Sequence, residues 1–312
     1  MKRILISGCC GFIGQNLVKR LNKDFKLIGI DNFFSSNRDV LNNFKNYDNF
    51  NFIEANISKL PLIEDKIDYI INLACPASPP KYMSDPFFTM DTNFNGTLNL
   101  LNLAKKNNSI FIQASTSEVY GDPLVHPQIE TYRGNVNTIG KRSCYDEGKR
   151  IAETLCYEFR EKYNLQTRII RIFNTYGPGM DINDGRVISN FMVNSIKGYP
   201  LVIYGNGNQT RSFCYIEDLI SGILECMNVD FDYPINIGND KEFSLNELAN
   251  IFISNLKADT IKKVKSVPDD PKLRRPNINL AKKVLGWSPN TSLEEGLNLT
   301  YNYFKNQLIK DE

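Results

Sequence analysis

The sequence predicts an α/β protein, a doubly wound parallel sheet carrying a smaller, discontinuous lobe. Three observations carry that prediction. Strand-like apolar runs alternate with amphipathic helical stretches through the first half of the chain. A glycine-rich turn separates the first strand from the first helix. The chain has 312 residues, enough for one large domain or two lobes with ample core.

The elements follow in order. Arg3–Ser7 reads as a buried strand starting almost at the first residue, which leaves little room for a targeting segment. Gly8-Cys9-Cys10-Gly11-Phe12-Ile13-Gly14 comes next, then the amphipathic Ile13–Leu21. Such a turn lets backbone N–H groups approach a pyrophosphate, and the helix N-terminus favours its charge. The spacing is G-x-x-G-x-x-G, with the required strand before it and helix after it. Lys26–Ile30, the second strand, ends in Asp31, about 20 residues past the glycines, where a carboxylate accepts both ribose hydroxyls and repels a 2′-phosphate. That favours NAD over NADP. Asn37–Asn51 is polar and asparagine-rich, a helix-containing surface excursion. Phe52–Glu54 and Tyr69–Leu73 read as the third and fourth strands. Met90–Lys105 reads as one long helix with Phe94, Leu98, Leu101 and Ala104 on a stripe. Ser109–Ala114 and Thr167–Ile172 are the fifth and sixth strands. In a parallel sheet ligands bind beyond the carboxyl ends of the strands, and Ser115-Thr116-Ser117-Glu118 emerges from one of them.

Beyond the sixth strand the pattern predicts helices at Val187–Lys197 and Ile216–Met227, a turn at Tyr204-Gly205-Asn206-Gly207 and a last strand at Ile235–Gly238. From Ser244 onward the chain reads as mostly helical, interrupted by a proline- and charge-bearing loop over Pro268–Pro276. The implied division is 1–174 plus about 211–239 for the dinucleotide domain, and about 175–210 plus 240–312 for the lobe. Trp287 reads as core.

Tyr145 and Lys149 stand four residues apart in a stretch whose apolar spacing (Ile151, Leu155, Phe159, Tyr163) says helix, so they share a face. A free phenol titrates near 10, and acting as a base near neutrality requires about 4 kcal/mol of depression. One ammonium about 4 Å away, at an effective dielectric near 20, supplies roughly that much. Such pairs also occur on many solvated helices, so the meaning of this one depends on its neighbours.

Composition excludes several classes. Net charge is +2 and charged content 23%, an ordinary balance with no pull toward nucleic acid. No apolar run reaches a membrane span. Seven cysteines lack ligand-pair spacing, and the adjacent Cys9 and Cys10 are poorly placed to chelate together, so no metal is expected and the compartment reads as cytosol-like and reducing. His126, the one histidine, sits beside Pro127 in a loop and makes a Ser-His-Asp hydrolase a poor fit.

With these residues in place, the chain resembles the extended short-chain dehydrogenases/reductases acting on nucleotide sugars, which have a Rossmann-type sheet. Several blocks resemble the UDP-glucuronate decarboxylase (UDP-xylose synthase) family: Ala74–Pro80, Ala114–Asp122, Cys144-Tyr145-Asp146-Glu147-Gly148-Lys149, Arg171–Pro178, Asp184–Val187, Gln209–Phe213, Arg274-Arg275-Pro276 and Leu285-Gly286-Trp287. The likeness runs nearly end to end, and Cys-Tyr-Asp-Glu-Gly-Lys is far more specific than Tyr-x-x-x-Lys. It implies NAD contacts at Gly8, Gly11, Phe12, Ile13, Gly14, Asp31, Asn32, Phe33, Ser35, Asn56, Ile57, Leu73, Thr92, Ala114, Tyr145, Lys149 and Thr175. It implies nucleotide-sugar contacts at Tyr82, Glu118, Tyr145, Asn174, Arg186, Tyr204, Arg211 and Arg275. The catalytic set it implies is Tyr145, Lys149, Thr116, Ser117, Glu118 and Arg275.

The implied reaction on UDP-glucuronate is oxidation at C4, loss of carbon dioxide from the 4-keto sugar, and return of the electrons to give UDP-xylose. Neighbouring chemistries stay open. A 4,6-dehydratase typically has an acid where Ser117 stands, a 4-epimerase needs no Glu118, and an NAD-sensing scaffold usually loses the tyrosine, lysine or glycines. The chain departs from the family pattern at Asn56, Asp91, Arg133, Thr138 and Gly179, where aspartate, lysine, tryptophan, proline and arginine are usual. Asp91 would reverse a charge near the substrate pocket. The resemblance also implies a homodimer built on Met90–Lys105 and Tyr145–Tyr163.

Overall fold

A computed structural model describes residues 1–265 and 273–310. The part of the expected Pro268–Pro276 loop up to Lys272 lies outside the described residues.

Strands β1 (Arg3–Ser7), β2 (Lys26–Asp31), β3 (Phe50–Glu54), β4 (Tyr69–Asn72), β5 (Ile110–Thr116) and β6 (Thr167–Ile172) join Ile235–Ile237 in one seven-stranded sheet. Its order is Ile235–Ile237, β6, β5, β4, β1, β2, β3, and every pairing is parallel. Successive side chains of a strand face opposite ways. Ile4 and Ile6 of β1 accordingly enter one apolar core, with Leu17, Leu219 and Phe252, while Leu5 enters another with Ile28, Leu100 and Phe159. Helices therefore cover both faces, as a doubly wound sheet requires. Strand order reverses between β1 and β4, so a crevice opens where their two following loops diverge.

Three expectations need correction. The long helix begins earlier, at Pro86, and it is interrupted by a π turn at Thr92–Gly96 before resuming as Thr97–Asn107. On the helix Ser143–Tyr163, Ile151 and Tyr163 are exposed and Leu155 is half-buried, so of the expected stripe only Phe159 is buried. The inward face is instead Tyr145, Gly148, Lys149, Ala152 and Cys156, because small residues let the helix approach its neighbours closely. The region after Ser244 holds a further strand, Ile261–Val264, parallel to Leu201–Tyr204. Its exposed Ile261, Lys262 and Lys263 mask the strand period, and lysines suit an exposed edge. A second small pairing, Thr210–Ser212 with Glu242–Ser244, is antiparallel. Trp287 is buried, and its indole N–H donates to Asp218 O at 3.1 Å.

Candidate active site

After β1 the chain turns at Gly8, whose φ of +71° lies in the left-handed region, and a Cβ there would sit 2.9 Å from the Ala74 nitrogen. The helix Phe12–Leu21 follows, with Gly11 at its N-cap and no side-chain cap, which leaves its first N–H groups facing an incoming anion. Gly8, Gly11, Asp31, Asn32, Ser35, Asn56, Ile57, Leu73 and Thr92 line one cleft together. The Asp31 carboxylate is oriented from three sides: Cys10 N–H donates to Oδ2 at 2.9 Å, and Phe33 N–H and Ser36 Oγ donate to Oδ1, each at 2.9 Å. Asn56 accepts from Ser58 N–H at 2.9 Å. An uncapped helix start, a turn that lacks a Cβ at Gly8 and Gly11, and a fixed carboxylate at the end of β2 fit a dinucleotide with free ribose hydroxyls.

Phe34, rather than Phe33, lines this cleft, stacked on Phe88 at 4.1 Å. The ring of Phe33 packs instead on Phe52 and under the Arg38 guanidinium. Asp91 is not in the lining of this cleft: it accepts from Asn95 at 2.6 Å, and its carboxyl is held below the usual range by Asn95, Ser58 and Lys59.

The helix Ser143–Tyr163 lays Tyr145 and Lys149 over the carboxyl end of β5. Gly148 makes this possible, since a Cβ there would lie 2.8 Å from Asn93 Nδ2. Asn93 belongs to the π turn and donates to Thr89 O at 2.9 Å and to Cys75 Sγ at 3.1 Å, so a local irregularity shapes the packing beneath the pair. Thr116 lies beside the Tyr145 phenol, and Tyr82 stacks on its ring at 4.9 Å with planes 9° apart.

Lys149 is not in the direct contact with the phenol that the spacing alone implied. Its Nζ donates to Ala114 O at 2.9 Å and lies 5.9 Å from the Tyr145 ring centroid. Burial pushes the phenol well above its ordinary value, with Thr116 pulling the other way, and burial lowers Lys149. A buried ammonium committed to a carbonyl is a weaker counter-charge than one in direct contact.

A charged cluster lies beside the phenol. Glu118 accepts two hydrogen bonds from Arg274, the one at Oε2 2.8 Å long, and a third from Arg142 at 2.6 Å. Burial would raise this carboxyl, but the two guanidinium groups outweigh it and hold it below the usual range. Asp146 is buried beside them, its Oδ1 without a hydrogen-bond partner among the described residues, and burial followed by the Glu118 charge pushes it up to about 7. The Tyr82 hydroxyl is likewise buried without a partner among the described residues. Behind the cluster, Arg171 forks onto Glu153 at 2.9 and 2.7 Å, and Ser115 donates to Glu153 at 2.5 Å, fixing the β5 terminus from below.

Other expected residues are scattered. Arg275 does not reach Glu118. Its side chain lies 3.7 Å from Glu242, and its backbone N–H donates to Gln128 Oε1 at 2.8 Å, because successive residues in this extended segment point opposite ways. Arg186 faces the cluster closely enough to feel Tyr145 and Glu118, although Asp184 already pairs with it at 2.5 and 2.8 Å. Arg211 is buried and donates to Thr210 O at 2.8 Å. Tyr204 is exposed at the end of its strand, and Asn174 is half-buried. Ser117 and Thr175 are buried, Thr175 Oγ1 donating to Phe173 O at 2.9 Å. Phe12 and Ile13 open the helix at the crevice and pack against the core, and Gly14 is buried one residue on. Arg142, Arg274 and Asp146 were missed as site residues, although Asp146 and Arg274 stand inside motifs singled out above.

The family model for GDP-mannose 4,6-dehydratase matches residues 5–300. UDP-glucuronic acid decarboxylase 6 of Arabidopsis thaliana is 48% identical over 309 residues, covering 98% of this chain and 90% of that protein. UDP-glucuronic acid decarboxylase 1 of Xenopus tropicalis is 45% identical over 98% of this chain and 73% of its own length. Among solved structures, UDP-N-acetylglucosamine 4-epimerase from Methanobrevibacter ruminantium superposes with a TM-score of 0.91 at 30% identity, covering 98% of this chain and 99% of that one. UDP-glucuronic acid 4-epimerase from Bacillus cereus, in complex with UDP-glucuronic acid and NAD, does so with a TM-score of 0.88 at 28% identity, covering 98% and 99%. The sheet, the crevice at its reversal and the tyrosine–lysine helix thus come with near end-to-end similarity, and the chain belongs to the GDP-mannose 4,6-dehydratase family of extended short-chain dehydrogenases/reductases.

Proposed function

We propose that the protein decarboxylates UDP-glucuronate to UDP-xylose with NAD held in the crevice. The observation that carries this reading is the 45–48% identity to UDP-glucuronic acid decarboxylases over nearly the whole chain. Glu118 clamped by two arginines beside Tyr145 is consistent with it. Bound NAD supplies a two-electron acceptor that later returns the same pair, and its cationic ring favours a phenolate nearby. Tyr145 takes the proton of the C4 hydroxyl as that carbon is oxidised, and Thr116 shares the hydrogen bonds of the C4 oxygen. Lys149 anchors the ribose side of the cofactor. The 4-ketone is β to the C5 carboxylate, so the C5–C6 pair flows into an enolate as carbon dioxide leaves. C5 then takes a proton from water held beside Glu118, and Tyr145 returns its proton to the C4 oxygen on re-reduction.

Ser117 is too weak an acid to drive loss of a C6 hydroxyl, which argues against a dehydratase. Epimerisation needs no buried carboxylate clamped by two arginines. Substrate is read as lying between the Rossmann domain (1–174 plus about 211–239) and the lobe (about 175–210 plus 240–312), with Asn174, Arg186, Tyr204 and Arg211 toward the nucleotide. A homodimer belongs to the same proposal: Phe87, Met90, Phe94, Ile151 and Tyr163 expose apolar surface on the two helical stretches expected to pair. A cytoplasmic, reducing compartment suits the seven unpaired thiols.

The test is to incubate purified protein with NAD and UDP-glucuronate and to follow carbon dioxide, UDP-xylose and NADH. UDP-xylose without accumulating NADH is expected, and Tyr145→Phe should lower turnover by at least about 10³-fold with NAD binding intact. A 4-keto-6-deoxy product from UDP-glucose or dTDP-glucose would overturn the assignment.

A further inference from the structure

We propose that Cys9, Cys10 and Asp31 form a binding site for a thiophilic divalent cation of the zinc or cadmium type, placed so that its occupancy competes with the dinucleotide. Adjacent residues of a strand point to opposite faces, which is why neighbouring cysteines read as poor chelators. Here β1 has already ended and the chain has turned at Gly8, so both thiols swing to one side. Their sulfurs lie 3.8 Å apart. Two thiolates on a tetrahedral zinc ion, at about 2.3 Å each, are separated by about 3.8 Å as well. The two sulfurs and a carboxylate oxygen of Asp31 all lie within 4.8 Å of one another.

The third ligand has capacity to spare. A carboxylate offers about four acceptor positions, and Asp31 receives hydrogen bonds from Cys10 N–H, Phe33 N–H and Ser36 Oγ. Its side chain lines the open cleft, which gives a cation its approach, and water fills the fourth position of a tetrahedron. The thiols themselves are buried, Cys9 packing so closely on β2 that a Cβ at Gly29 would lie 2.7 Å from its sulfur. Their mutual hydrogen bond and then burial push the Cys9 thiol well up, which makes it a poor nucleophile. A cation replaces both protons, which leave to solvent, and no oxidant is involved. The competition rests on reading Asp31 as the ribose ligand: a carboxylate coordinating a cation no longer accepts two ribose hydroxyls.

Reduced, purified protein titrated with cadmium chloride should develop the ultraviolet absorption of cadmium–thiolate bonds, saturating at one ion per chain. Excess NAD should weaken the apparent cadmium affinity at least about tenfold. Cys10→Ala and Cys9→Ser should each abolish the band. Absence of the band at stoichiometric cadmium, or a band that persists in both variants, overturns the site. A thiolate band that NAD does not weaken overturns the part assigned to Asp31, and with it the reading of that residue as the ribose ligand, whatever the turnover assay shows.

Discussion

The dinucleotide crevice and the Glu118 cluster lie at the same end of the sheet but are assembled in different ways. The crevice is made mostly of loops that directly follow strands. Its one decisive side chain, Asp31, is fixed by hydrogen bonds from residues 10, 33 and 36, close by in sequence or across one strand pairing. The cluster gathers Glu118 from the end of β5, Arg142 from a helix start and Arg274 from a segment 156 residues away. A site of the first kind tolerates the loss of a side chain and keeps its shape. A site of the second kind depends on mutual charge compensation in a buried place, so removing one member strands the others.

The sharpest way to break this contrast is to exchange the two neighbouring arginines as targets. Arg274→Ala leaves the buried Glu118 with a single guanidinium, and breaking a buried pair this way costs about 3–5 kcal/mol. Loss of UDP-glucuronate turnover and a clear drop in melting temperature are expected. Arg275→Ala removes a half-exposed contact 3.7 Å from Glu242, and surface pairs of that kind contribute about 0–1 kcal/mol. Equal effects of the two substitutions, in paired thermal melts and assays, would refute the assignment of Arg274 to the cluster.

The same pair of arginines marks the boundary of what could be read in advance. Strand, glycine turn, helix and terminal aspartate occur in fixed order along the chain, so the crevice was legible from local pattern. Tyr145 and Lys149 were legible because helical spacing alone puts them on one face. The convergence of Arg274 on Glu118 depends on how a loop far along the chain packs back, and no local period distinguishes residue 274 from 275. The π turn at Thr92–Gly96 was hidden for a similar reason: its Asn93 packs against Gly148, a partner more than fifty residues along the chain. The lapse at Phe33 was of another kind, since a left-handed φ of +57° there swaps which of two adjacent rings faces the cleft.

Asp31→Ala probes the crevice with a smaller effect. The backbone cradle survives, so NAD binding should weaken by about ten- to a hundredfold rather than vanish. Discrimination against NADP should narrow in the same titrations, because the repelling charge is gone. Unchanged preference for NAD over NADP would show that another group rejects the 2′-phosphate.

Asp146→Asn yields the smallest effect and tests the cluster from its uncompensated side. The carboxyl of Asp146 is pushed up to about 7 in the folded chain, above the value of about 3.9 expected when unfolded. As pH rises the unfolded chain therefore loses this proton first, and stability falls between about pH 4 and pH 7 and stays lower above. The full penalty at pH 8 has a ceiling of roughly 4 kcal/mol, and an asparagine buried with imperfect partners gives back about 1–3 kcal/mol of that. A net gain of about 1 kcal/mol, or about 2 °C in melting temperature, is expected at pH 8. At pH 4 the native acid is already neutral, so the gain should disappear or reverse. A shift of the same size and sign at both pH values would mean that Asp146 is not titrating against Glu118 at all, and that the two arginines compensate both carboxylates rather than one.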